Sequence, residues 1–270
     1  MYEACCISGG STKLVTLCGL MYEYHERGLL QSIKTWSACS AGAYIAVLYL
    51  CGKNPLQALD YYPKIENIEM SMEIFNTFMQ KQGLKRIQKY SGKVRRCINN
   101  YVFGNPEKDC TLLDFYKKTG VTFYIEAVNV DDAEVVYFNH KDHPNVKLID
   151  CLHATAAIPL IFINVKIDGK KYTDGGIYTS LPLEPLGDLK TIAFGFQTPK
   201  RDGVMDQILS LFRLPSTLVK KQDLKRHPNV ILVECKSNFD IFDFEKTKEE
   251  ILEEFAYGRS QFHSLSGIKE

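Results

Sequence analysis

A serine set among small residues is the first group in this chain with the means to do chemistry. Ser40 lies in the stretch Trp36-Ser37-Ala38-Cys39-Ser40-Ala41-Gly42-Ala43. A short apolar approach from Ile33 to Trp36 leads in, and an almost wholly apolar run from Tyr44 to Leu50 leads out to Gly52. Strand, sharp turn and buried helix in that order push a serine hydroxyl clear of the backbone, where it can act as a nucleophile. Ala38, Ala41, Gly42 and Ala43 let strand and helix come close on either side of the turn. Serine is also among the best helix N-caps, so this octapeptide alone leaves both readings open.

Two further groups could cooperate with it. Asp174 stands directly before Gly175 and Gly176, where a tight turn can aim its carboxylate into a site; an ordinary turn aspartate reads the same way. Gly9-Gly10-Ser11-Thr12-Lys13 follows the first apolar segment. Small residues there expose backbone N–H groups that bind a phosphate or a developing oxyanion. The loop is neither G-x-G-x-x-G nor a P-loop, and no G-K-[ST] follows it, which argues against a nucleotide.

The rest of the chain must supply the elements that hold these groups. Its 270 residues are 45% hydrophobic and 11% aromatic, enough for a sizeable core within one α/β unit. A net charge of +1 gives no bulk reason to expect nucleic acid. Nine cysteines are scattered without a C-x-x-C, a pattern that predicts reduced thiols and a cytoplasmic setting. A strand-like segment at the very start predicts that no signal sequence is present. The longest apolar run, Ala41 to Cys51, is too short to span a bilayer. His140 and His143 form an H-x-x-H pair beside Pro144, but with no third ligand nearby they read as a surface turn, and no metal is expected.

Hydrophobic periodicity orders the chain. Ala4 to Ile7 reads as a buried strand. Leu14, Leu17, Cys18, Met21 and Tyr22 share a helix face that ends near Gly28. Asn54-Pro55 reads as N-cap and first helical residue. Glu66 to Asn100 is mainly helical in pattern, with Met72, Phe75, Phe78 and Met79 on one face. Leu112 to Lys118 forms a helix closed at Gly120, Val121 to Val128 a strand, and Glu134 to Asn139 its hairpin partner. A small helix from Asp150 to Ala157 stops before Pro159. Leu160 to Val165 and Lys170 to Tyr172 flank the Asp168-Gly169 turn. Thr191 to Phe196 and Val230 to Cys235 are further strands, with Gln207 to Phe212 helical between them. Phe244 to Phe262 closes the chain as an amphipathic helix, with Glu249, Glu250, Glu253 and Glu254 on its wet face.

Between Lys81 and Arg96 the chain carries seven basic residues and no acidic one. One reading is a solvated helix face. The other is a contact for anionic lipid headgroups through Lys85, Arg86, Lys89, Lys93, Arg95 and Arg96.

Taken in order, the three reactive pieces resemble the patatin-like phospholipase family. That family carries a glycine-rich oxyanion loop G-G-G-x-[RK], then G-x-S-x-G, then D-G-[GA]. This chain gives Gly9-Gly10-Ser11-Thr12-Lys13, Ala38-Cys39-Ser40-Ala41-Gly42 and Asp174-Gly175-Gly176. Ala154-Thr155-Ala156-Ala157-Ile158-Pro159 is similar to the family's A-S-x-A-I-P element. Ile167-Asp168-Gly169, Tyr172 to Gly176, and Phe242-Asp243-Phe244 with the helix after it match as well. Ser11 and Ala38 stand where the family has glycine.

The resemblance implies an α/β fold: a three-layer α/β/α sandwich with a central, mainly parallel sheet and helices on both faces. It implies one domain over residues 1–270, with core elements in 1–200 and a C-terminal strand and helices in 201–270. It implies a lipid acyl hydrolase of phospholipase A type that uses a Ser40–Asp174 dyad without histidine, metal or cofactor. Gly9, Gly10 and Ser11 would form the oxyanion hole, and Lys13 would pin the loop. The substrate would be a phospholipid or related acyl lipid. Two rivals stand beside this. A Ser-His-Asp esterase would need His227 or His263, and a degenerate domain would bind lipid or a partner protein without turnover.

Overall fold

The computed structural model describes residues 1–61, 87–89, 91–159, 161–197, 204–239 and 245–265, with side chains undescribed from 204 to 213 and at 265. Met72, Phe75, Phe78, Met79, Leu160 and Phe242 to Phe244 therefore lie outside the described residues.

The centre of the fold is strand β1 (Ala4–Ile7), all four residues of which are fully buried. Its apolar run has no polar alternation because both faces and both edges are covered. On one edge it pairs in parallel with β2 (Thr35–Cys39), and on the other with β7 (Thr191–Phe196). β2 pairs in parallel with β3 (Thr122–Asn129), and β7 with β8 (Val230–Cys235). The remaining strands, β4 (Glu134–Phe138), β5 (Val165–Ile167) and β6 (Lys170–Asp174), pair antiparallel. The sheet order is β5-β6-β3-β2-β1-β7-β8, with β4 added at β3.

Right-handed crossovers place the helices. The chain steps from β1 to β2 to β3 in one direction and from β7 to β8 in the other, so the connecting helices fall on opposite faces. α1 (Leu14–Glu26) and α2 (Ala41–Leu50) belong to the first direction. α7 (Val204–Arg226) belongs to the second and is much longer than the segment expected to be helical, running through Pro215. Between them lie α3 (Pro55–Ala58), α4 (Gly92–Phe103), α5 (Leu112–Thr119) and α6 (Leu148–Thr155). α8 (Lys248–Ser260) and α9 (Phe262–Leu265) follow β8.

α1 is buried on nearly every side, because α8 lies across it at very short range. A Cβ on Gly19 would stand 2.0 Å from the Phe255 carbonyl, and one on Gly258 would stand 2.0 Å from that of Thr16. The crossing also corrects the reading of α8. Glu254 is not on the wet face but buried. It accepts from Thr16 Oγ1, from Ser237 Oγ at 2.8 Å and from the Asn238 backbone N–H at 2.9 Å.

Most other boundaries follow the sequence closely. Thr111 and Asp114 form a capping box at the start of α5, and Gly120 ends that helix in the left-handed conformation. One boundary changes. The strand expected from Leu160 begins only at Val165, because the Ile161 and Phe162 amides donate to the Ile158 carbonyl in a turn. His140 and His143 pack on aromatic rings: His140 stacks on Tyr116 at 3.6 Å, and His143 meets Phe138 edge-on at 4.9 Å.

Candidate active site

β3 brings the two reactive side chains together. Ile125 and Glu126 pair with β2 on one edge and β4 on the other, while Ala127 to Asn129 pair with β4 and β6. β2 and β6 therefore share one edge of β3, end to end and running in opposite directions. Cys39 lies opposite Glu126, and Asp174 lies opposite the next residue, Ala127. Where β2 leaves the sheet at Ser40, β6 arrives with Asp174, and Ser40 Oγ donates to Asp174 Oδ2 at 2.6 Å.

Ser40 occupies a conformation that L-residues avoid, with φ 53° and ψ −134°. Such backbone strain costs on the order of 1–3 kcal/mol and persists only where the surroundings hold it. Here they do. The Ser40 N–H donates to Thr155 Oγ1 at 2.8 Å, and its carbonyl accepts from the Ala43 N–H at 3.0 Å. Gly42 lets α2 press against β1, since a Cβ there would meet the Ser8 carbonyl at 2.4 Å. Ser40 has no side-chain capping bond to α2; its hydroxyl is turned to Asp174 instead.

Asp174 is held as firmly. Its Oδ1 accepts from the Gly176 N–H at 2.7 Å, and the Cys39 thiol lies 3.9 Å away. Gly175 packs on Glu126, whose carbonyl a Cβ would approach to 2.7 Å. Burial pushes the Asp174 carboxyl up from its ordinary 3.8 to about 6, against the lowering effect of the Ser40, Gly176 and Cys39 hydrogen bonds. A carboxylate of that basicity is suited to accept a proton near neutral pH. Burial likewise keeps Cys39 a thiol, with the Asp174 charge adding to the effect. Glu126 is fully buried and, through burial first and the Asp174 charge after it, shifted well toward its acid form.

The glycine loop lies against the same serine. A Cβ on Gly9 would be 3.0 Å from Ser40 Cβ, and one on Gly10 would enter the Phe196 ring at 2.2 Å. The expected set of three N–H donors is narrower than the sequence suggests. Gly9 donates to the Ser180 carbonyl at 3.0 Å, which anchors the loop and removes that group from the site. The Gly10 and Ser11 N–H groups have no partner among the described residues. Ser11 adopts φ 50°, the left-handed region that favours glycine. Ala38, by contrast, is a fully buried residue of β2 with no positive φ. Lys13 is buried beside the loop, its Nζ 6.0 Å from the centre of the Phe196 ring.

Other candidates lie apart from this cluster. His153 pairs with Ser91, at 2.5 Å from Nε2 to Oγ, and His227 Nδ1 lies 2.9 Å from the Gly187 carbonyl. Of the basic residues, Lys85 and Arg86 are outside the described residues. Arg95 is committed to Asp109, with Nε donating to Oδ1 at 2.7 Å, so it is not a free headgroup ligand. Lys89, Lys93 and Arg96 are exposed. Among the described residues no cluster of potential metal ligands forms, and no helix is long and apolar enough to cross a membrane. Thr155, Ser180 and Phe196 were not singled out from the sequence. Only Thr155 had a signal, as the hydroxyl in the small-residue run before Pro159.

An apolar cavity opens at Ser40 and Ser11, walled mainly by α1, α2 and the stretch from Ala58 to Tyr61, with Val94, Ile158 and Phe162. A serine hydroxyl bonded to a buried carboxylate, free N–H groups alongside and an apolar chamber beyond form an arrangement that can attack an ester with a greasy acyl part.

Comparison with known proteins places the chain in a family. The family described as patatin-like phospholipase matches residues 5–186, a span that includes the loop, Ser40 and Asp174. A protein of Invertebrate iridescent virus 6 named "Probable lipid hydrolase 463L" is 23% identical over 232 residues, covering 80% of this chain and 71% of that protein. VipD from Legionella pneumophila superposes with a TM-score of 0.59 at 15% identity, over 98% of this chain and 66% of VipD. ExoU from Pseudomonas aeruginosa, in its complex with SpcU, gives a TM-score of 0.51 at 15% identity, over 98% of this chain and 51% of ExoU. The last two share the fold, and this chain spans only about two thirds and half of their lengths. The chain belongs to the patatin-like phospholipase family.

Proposed function

We propose that this chain is a serine lipid acyl hydrolase of phospholipase A type, working through a Ser40–Asp174 dyad and an acyl-enzyme. The 2.6 Å hydrogen bond between Ser40 Oγ and Asp174 Oδ2 at the mouth of an apolar cavity carries this reading. Ser40 attacks the ester carbonyl as its proton passes to Asp174. The Gly10 and Ser11 N–H groups stabilise the oxyanion of the tetrahedral intermediate, an effect often worth several kcal/mol. As the intermediate collapses, the alcohol leaves with the proton from Asp174. A water, deprotonated by Asp174, then attacks the acyl-serine; collapse frees the fatty acid and returns the proton to Ser40. The scheme calls for no metal or cofactor. The curated relative's name as a lipid hydrolase supports the substrate class.

In this reading the protein meets phospholipid from the cytoplasmic side of a membrane, with exposed Lys89, Lys93 and Arg96 facing anionic headgroups. The nine unpaired cysteines support a reducing compartment. Residues 1–270 act as one domain, β8 of the C-terminal part extending the same sheet. The test is fatty-acid release from phospholipid vesicles, by wild type and by Ser40→Ala. Release by wild type alone supports the reading. No release by either returns the chain to a lipid-binding domain without turnover.

A further inference from the structure

The cavity beyond Ser40 is apolar but not uniformly so. Ala41, Tyr44, Ile45 and Leu48 line it from α2, at the three-to-four spacing that keeps residues on one helix face. Leu48 lies eight residues past Ser40, so this stripe leads about 12 Å along the helix away from the nucleophile. Past the Ser40 end, three hydroxyl-bearing side chains belong to the wall: Tyr44, Tyr61 and Ser91. Ser91 is engaged, its Oγ 2.5 Å from His153 Nε2. Tyr44 Oη is buried without a hydrogen-bond partner among the described residues. Burial also pushes its ionisation well above the ordinary range, which keeps it a donor.

A plain saturated acyl chain in this space would leave Oη unpaired. An acyl chain carrying an oxygen along its length would supply the missing acceptor. We propose that Tyr44 is a specificity-determining residue and that the cavity prefers an oxygenated acyl chain, bearing a hydroxyl, keto or epoxide oxygen to which Tyr44 Oη donates. The proposal rests on reading the cavity as the acyl site of Ser40. Its selectivity has a simple source: a site whose polar group pairs only with the substituted ligand is left with an unpaired group when the plain analogue binds.

Binding to Ser40→Ala protein, which does not turn over, tests this directly. Stearic acid and a set of hydroxystearic acids, with the hydroxyl at successive mid-chain positions, compete with a fluorescent fatty acid. At least one hydroxystearic acid should bind about tenfold more tightly than stearic acid, and Tyr44→Phe in the same background should bring that ratio to about one. Ser91→Ala, whose lost hydroxyl is one already engaged by His153, should leave the ratio in place. Equal affinities across the whole set, or a preference that survives Tyr44→Phe, overturn the proposal. Because the readout is binding, a Ser40 that proves inert leaves the test standing. If neither acid binds, the acyl-site reading falls and this proposal with it.

Discussion

Cys39 and Asp174 lie opposite consecutive residues of β3, Glu126 and Ala127, on the same edge of that strand. The Ser40 turn and the Asp174 turn are therefore two strand ends abutting in one sheet, not two loops folded over a surface. This fixes the Ser40–Asp174 distance by strand register, and the register in turn is fixed by the buried residues of β2 and β3.

The first prediction concerns the Ser40 turn. Thr155→Val removes the acceptor of the Ser40 N–H and leaves a buried donor unpaired, at a cost of roughly 1–3 kcal/mol. Turnover should fall by ten- to a hundredfold while KM changes little, and Thr155→Ser should restore most of the rate. Wild-type turnover in Thr155→Val would remove this bond from the account.

Asp174 also links stability to pH. Its folded-state pKa, about 6, lies above the ordinary 3.8, because burial penalises the charged form. Between these values the native state holds its proton while the unfolded chain releases it. Stability thus falls as pH rises through that window and stays lower above it, by an amount on the order of 3 kcal/mol. Asp174→Asn should therefore melt higher than wild type at pH 8, by several degrees, and the difference should shrink as the pH falls below about 4. The same carboxyl must be ionised to act as base, so kcat/KM should rise with pH through about 6. A rate independent of pH across that range would contradict the assignment.

The glycine loop gives a contrast between two substitutions. Ser11→Gly relieves a side chain at φ 50° and should raise the melting temperature by a few degrees, for a gain of about 1 kcal/mol. Ala38→Gly should do the opposite, since Ala38 is an unstrained, buried strand residue whose methyl is enclosed. Thermal melts of the two variants decide it; equal shifts would refute the contrast.

Much of this was legible in the sequence, for identifiable reasons. Ser40, Asp174 and the glycine loop stood out because each interrupts an apolar run with small residues, and such runs are local. What was not legible is non-local. Nothing in the string shows β2 and β6 meeting end to end on β3. Nor does it show that Ser180 takes the Gly9 N–H, which leaves Gly10 and Ser11 as the donors without a partner among the described residues. Glu254 was misplaced on a wet face because counting along α8 cannot reveal that Thr16, Ser237 and Asn238 converge on it. Arg95 looked free in an acid-free stretch, but Asp109 reaches it from the loop after α4.

The α1–α8 crossing should be intolerant of a single methyl. Gly258→Ala places a Cβ 2.0 Å from the Thr16 carbonyl. Backbone must move to admit it, at a cost of about 1–3 kcal/mol or more. Denaturant midpoints should drop accordingly, whereas Gly92→Ala, with nothing near its Cβ, should leave the midpoint close to wild type. A Gly258→Ala midpoint equal to that of wild type would mean that the two helices are not in such close contact.

The central claim is that Ser40 is the nucleophile and Asp174 its base. Labelling with a fluorophosphonate, read by mapping the modified peptide by mass spectrometry, tests it most directly. The account predicts one modified residue, Ser40, in wild type, a labelling rate reduced at least a hundredfold in folded Asp174→Asn, and a near-normal rate in His153→Gln, His227→Gln and His263→Gln. Modification at another serine, or a histidine variant as unreactive as Ser40→Ala while Asp174→Asn still labels, would contradict it.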